Sequence, residues 1–163
     1  MNCIIPYNNV DVHNVFFLEP KLNTIIDGIF TKIIYSTPSF IMNGLFLTFP
    51  LKVGTATVFL NKTFVKLDTM DEMSMSVIQQ LSHMEMDILH QYNRHTKTTR
   101  SLSAILSKQL MSGNIKLSGD RNAVQPWKHG GHNKTEYSSF ILKISGIWES
   151  QNEVGLTYKL VSG

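Results

Sequence analysis

The chain has 163 residues, 42% hydrophobic and 17% charged, with a formal net charge of +3 and a single cysteine, Cys3. That length suits one domain with a real core, and no apolar run of 18 residues is present to form a membrane helix. One cysteine excludes an internal disulfide and a cysteine zinc cluster.

The start of the chain has no basic stretch followed by an apolar one. An intracellular, reducing compartment is therefore expected, the cytoplasm or nucleus of a host cell. The Asn-Lys-Thr sequons at Asn61 and Asn133 are then chance matches. Charge is unevenly spread. From Asn93 to Lys134 there are eight basic residues against one acid, a local charge of +7, while the rest carries seven bases and eleven acids. Such segregation points to a polyanionic partner.

Residues 1–28 read as an N-terminal extension packing on the domain, with Val15-Phe16-Phe17-Leu18 as a short strand or anchor. From residue 29 to 163 the pattern is that of one domain. Ile29–Tyr35 is rich in β-branched and aromatic residues and predicts a strand. Ser36 to Ser39, with Pro38, predicts a turn. A second strand is expected over Phe40–Phe49, with Phe40, Met42, Gly44 and Phe46 on one face and Pro50 as its stop. Lys52–Thr55 reads as a loop. A third strand is expected over Thr57–Leu67, with Phe59, Val65 and Leu67 on one face.

The period then changes from two to about three and a half. Thr69 and Glu72 have capping-box spacing. Met70, Met73, Val77, Leu81, Met84, Ile88 and Tyr92 mark the apolar stripe of a helix over Met70–Tyr92, with Glu85 on the polar side. Ser101–Met111 predicts a shorter helix with Gly113 at its C-terminal end, and Ile115–Leu117 a short strand. Ser118–Glu136 reads as a long loop. The chain closes on a β-hairpin, its strands on either side of Ser150–Glu153. Phe140, Leu142, Ile144, Gly146 and Trp148 alternate on what reads as the inward face, and Lys143 and Lys159 point together on the other.

The order three strands, a helix, two strands over Ile29–Val161 resembles the OB-fold, and within it small single-stranded-DNA-binding proteins of viral and phage replication systems. The resemblance implies an α+β protein: a five-stranded OB-like β-barrel with a long helix, plus a short one, inserted between strands three and four. It also implies binding of unpaired strands across strands two and three. Two features depart from the family pattern. The 45 residues from Arg94 to Ser138 exceed a minimal connection, and the chain ends Leu160-Val161-Ser162-Gly163 without an acidic tail.

Single-strand binding needs cations that follow phosphates and flat side chains on which bases stack. Candidates are Lys62, Phe64 and Lys66 in the third strand, and Lys143 and Lys159 in the hairpin. The basic segment adds Arg94, Lys97, Arg100, Arg121, Trp127, Lys128, His129 and Lys134. No catalytic residue, cofactor or metal is expected: nucleotide-binding glycine loops and nucleophile motifs are missing, and His83, Asp87 and His90 read as a solvated helix face. The expected function is DNA coating and protection in replication or recombination. RNA is a variant ligand, and a homo-oligomer or a replication-protein partner stays open. The alternative is a structural or protein-interaction protein whose Met-rich helix offers a plastic apolar surface.

Overall fold

A computed structural model describes residues 3–25, 27–119 and 137–163. Arg121, Trp127, Lys128, His129 and Lys134, expected at the binding site, lie outside these residues. Eleven strands form one mostly antiparallel sheet: β1 (Ile5–Pro6), β2 (Val15–Phe17), β3 (Lys21–Asn23), β4 (Gly28–Ser36), β5 (Ile41–Met42), β6 (Leu45–Phe59), β7 (Lys62–Leu67), β8 (Ser101–Ser103), β9 (Asn114–Leu117), β10 (Tyr137–Glu149) and β11 (Glu153–Ser162). Two helices, α1 (Glu72–Thr96) and α2 (Ile105–Met111), accompany it. The α+β class stands, with more strands than the five expected. No described helix is long and apolar enough to cross a membrane.

The central path runs β2-β4-β10-β6-β7-β9, with β11 on the other edge of β10. β10 is forked: its first half pairs with β6 and its last four residues with β4. The sheet is open. β9 and β11 approach where Ser118 N donates to Leu160 O at 2.7 Å, and no ladder joins them among the described residues. The short N-terminal strands belong to the same sheet, and Ile5 and Val15 are buried in the shared core.

One face of the sheet and the two helices enclose that core. Leu45, Leu47, Phe49 and Leu51 of β6 meet Phe140, Leu142 and Ile144 of β10 there, together with Val77, Leu81, Ile88 and Leu89 of α1. The opposite face of β6 and β10 is partly exposed: Phe46, Thr48, Pro50 and Ile141 are half-buried, and Lys143 and Ser145 are exposed.

Several boundaries differ from the sequence reading, each for a local reason. β6 runs through Pro50 and the expected loop at Lys52–Thr55. Between Thr48 and Val53 the edge of β6 away from β10 has no ladder partner among the described residues, so a proline is tolerated there. The expected third strand is two strands, because Leu60 and Asn61 both take positive φ, 48° and 62°, and close a two-residue hairpin. The strand expected over Phe40–Phe49 is broken at Gly44, whose φ is +104°.

Helix α1 begins later than the capping box implies. Asp71, not Thr69, is its N-cap, accepting from Ser74 N at 2.9 Å. Met70 and Met73, expected inward, lie at this overhanging start and are exposed, Met70 at 89%. Met84 is in the core, and Met75 and Met86 are half-buried against it. Ser101–Ser103 is a strand parallel to β11 instead of the first turn of α2. Gly113 follows α2 with φ +75°, as expected of a helix-terminating glycine.

Glu85, expected on the polar side, is 0% exposed. Its carboxylate accepts from the backbone N–H groups of Leu106 and Ser107 and from the Ser107 hydroxyl. It therefore caps the seven-residue α2 from the neighbouring helix. A second buried acid, Glu149, accepts from Tyr92 Oη and Arg100 Nη1, each at 2.8 Å, and Tyr92 Oη also meets Thr31 Oγ1 at 3.1 Å.

Burial, helped by Glu149, pushes the Tyr92 hydroxyl up to about 12, and burial with the Glu85 charge does the same for Tyr158. A phenol whose folded-state value is raised stabilises the fold fully below its ordinary value of 10.0 and loses that contribution as pH climbs to about 12. Stability should therefore fall across that window. A Tyr92→Phe variant should show a shallower fall in urea midpoint between pH 9 and 12; an unchanged slope would mean that the tyrosine does not titrate with unfolding.

Candidate nucleic-acid interface

Register decides which side chains share the open face. In an antiparallel ladder, residues directly opposite project to the same side. Thr57 of β6, Phe64 of β7 and Lys116 of β9 form one such row. Thr55, Lys66 and Asn114 form the next, and Phe59 pairs with Lys62 beside the turn. The alternate row, Ala56, Val65 and Ile115, faces inward, with Val65 and Ile115 buried in the core.

The open side of this three-stranded arm thus carries Lys62, Lys66 and Lys116 around Phe59 and Phe64, which are 65% and 38% exposed. None of the residues in these rows is acidic. Two phenyl rings among three ammonium groups, on paired strands, match what stacking and phosphate tracking require.

Lys62, Phe64 and Lys66 share this face as expected. Phe59 was expected on one face with Val65 and Leu67, with a bulge or exposed end near Asn61 and Thr63, and its place is a correction: a single uninterrupted strand would put 59 in phase with 65 and 67. The two-residue turn instead sets 59 opposite 62, and so with the even-numbered residues that follow. Lys116 was missed as a site residue because nothing local in Ile115-Lys116-Leu117 tells which strand it joins.

Lys143 and Lys159 are direct cross-strand partners, both exposed, and Lys143 Nζ stands 5.8 Å from the centroid of the Phe46 ring. Phe46 lies opposite Lys143 on β6, on the same outer side as Thr55, Thr57 and Phe59. The nine residues from Phe46 to Thr55 put this second group about 30 Å along the strand from the first. Between them Lys52 is engaged by Asp68 at 3.6 Å and Asp71 at 3.9 Å, and Tyr137 Oη donates to Asp71 at 2.9 Å. That acidic knot interrupts the positive face.

Arg94, Lys97 and Arg100 are not brought to either group. They sit at the C-terminal end of α1 and just beyond, beside the far end of β10, where Arg100 is committed to Glu149 and to the Gln151 carbonyl. The 13 residues of β10 separate this end from the Tyr137–Lys52 pair by about 40 Å. A cleft of about 470 Å³ opens here, lined by Pro20, Tyr92, Thr96, Lys97, Thr98, Thr99, Arg100, Glu149 and Gln151. Its acid is buried and its arginine paired, so it offers less free positive charge than the β6–β7–β9 arm.

Trp148 was expected in line with Phe140, Leu142 and Ile144. The β10–β11 register shifts between Ile144 and Gly146, so Ile147 and Glu149 turn inward and Trp148 outward. Its indole lies over Gly155 and donates to Leu156 O at 3.2 Å, which makes it a packing residue. His83, Asp87 and His90 are exposed, and no three potential metal ligands gather among the described residues. No family model, curated protein or solved structure matches the chain.

Proposed function

We propose that this is a single-stranded nucleic-acid-binding protein without catalytic activity, with DNA the first ligand to test. It would coat and protect unwound strands in replication or recombination, through phosphate contacts and base stacking. The observation that carries the reading is the open face of β6, β7 and β9. There Phe59 and Phe64 lie among Lys62, Lys66 and Lys116 in rows free of acid. The OB-like barrel belongs to the same proposal. It is supported by the element order and by the Ser118–Leu160 backbone bond, which brings the edges of β9 and β11 together.

The protein-interaction alternative has less to stand on. Of the methionines around α1, Met84 is buried and Met75 and Met86 are half-buried, leaving Met70 and Met73 exposed.

A labelled oligothymidine titrated at several salt concentrations is the direct test. Log affinity should fall with log salt by about 0.7 per phosphate contacted, and duplex should bind more weakly than single strand. Phe64→Ala should weaken binding by about 1–3 kcal/mol, the range for one lost stacking contact. Lys116→Ala should lower the salt slope by about 0.7. Salt-independent binding, or a preference for duplex, sinks the proposal.

A further inference from the structure

The tip of the β6–β7 hairpin shares only Phe59 with the stacking face and adds three features to it. Val58, Phe59 and Leu60 are consecutive apolar residues, 55%, 65% and 75% exposed. Val58 lies on the same side as the buried Val65, yet it is open to solvent, so the tip overhangs the end of the core. The last β7–β9 pair is Thr63 with Leu117, and β10 leaves β6 at Lys52, so nothing in the described sheet flanks residues 59–62.

Leu60 also holds φ +48°, a left-handed conformation that is strained for a side chain of this kind and that asparagine or glycine would adopt more readily. A solvent-exposed leucine at the position least suited to it has no stabilising role there. Strained backbone of this kind concentrates at functional positions. Immediately behind the tip, Lys62 is paired with Phe59, and Lys66 and Lys116 continue the positive face.

We infer that this tip is a wedge that enters between stacked bases where a single strand meets a base-paired segment, Leu60 leading and Phe59 beside it, and opens the pairs ahead of the stacking face. The inference rests on the single-strand reading above. Apolar side chains inserted at a base step partly unstack it, and neighbouring cations hold the deformed backbone. The lysines favour a polyanion as the occupant, since the tip itself carries no hydrogen-bonding side chain except that of Asn61.

The test is a fluorophore–quencher DNA hairpin with a thymidine tail, titrated alongside an unstructured oligothymidine. Wild type should bind the oligothymidine and open the hairpin. Leu60→Asn, which suits the left-handed position and should raise the melting temperature, should need roughly tenfold more protein to open the hairpin while keeping oligothymidine affinity within about threefold. Leu60→Phe should retain opening. Equal opening by Leu60→Asn overturns the wedge, as does a wild type that binds oligothymidine but opens nothing. A wild type that binds no oligothymidine removes the single-strand reading along with it. Binding of phosphatidylserine vesicles that is lost in Leu60→Asn, without hairpin opening, would make the tip a membrane contact and overturn the wedge.

Discussion

Glu85→Ala should lower stability by about 3–5 kcal/mol in urea denaturation, the largest single-residue effect expected in this chain. The Glu85 carboxylate is fully buried and satisfies two backbone amides at the start of α2 and the hydroxyl of Ser107. Truncation leaves all three donors without their partner in a dry site, each costing about 1–3 kcal/mol unless α2 unwinds to reach water. A helix of seven residues has little stability of its own to resist that unwinding. Glu85→Gln, which keeps one carbonyl acceptor, should lose less. A loss under about 1 kcal/mol for Glu85→Ala would show that α2 is not held by this carboxylate.

Gly146→Val comes next, with an expected cost of about 3 kcal/mol or more. A Cβ at Gly146 would stand 2.4 Å from the Thr31 carbonyl oxygen and 2.6 Å from the Phe30 ring. The ring can rotate away, but the carbonyl belongs to the β4 backbone and cannot move without parting β4 from β10. Those strands share only four register pairs, Gly146 to Glu149, so their junction has little reserve. Melting of Gly146→Val at the wild-type temperature would contradict the forked pairing of β10.

Both positions show where a linear reading succeeds and where it stops. Long periodic segments were legible: the closing hairpin, the strand around Ile29–Tyr35, the long helix and the short β9 all stand near their expected places. Phase was not. A period of two holds only until an extra residue enters a strand, and extra residues enter at two places. One lies between Val53 and Thr55 on β6, the other between Ile144 and Gly146 on β10. The second turns Trp148 out and Glu149 in. The two-residue turn at Leu60–Asn61 adds a third phase change and brings Phe59 to the open face. Gly54 and Gly146 stand at the two bulges, but a strand glycine does not say which way the phase shifts, and Leu60-Asn61 lacks the glycine that usually marks such a turn.

Glu85 was misread for a different reason. Its spacing suits the polar side of an isolated helix, and only α2, packed alongside, supplies the donors that make its burial tolerable. The candidate site was half legible in the same sense. Lys62, Phe64 and Lys66 alternate within one strand, whereas Lys116 joins them through a pairing of residues some 50 positions apart. Arg94, Lys97 and Arg100 were grouped with them by charge alone, and the fold sends them to the far end of β10.

Amide chemical-shift mapping during titration with an unstructured oligothymidine would locate a bound single strand on the proposed open face of β6, β7 and β9. The largest shifts should fall at Thr57, Phe59, Lys62, Phe64, Lys66 and Lys116. Lys143 and Lys159 should join only with oligomers long enough to span about 30 Å of strand. Shifts confined to Met73 and its neighbours on α1, or to the cleft around Thr96–Arg100, with the open face silent at saturation, would contradict that placement.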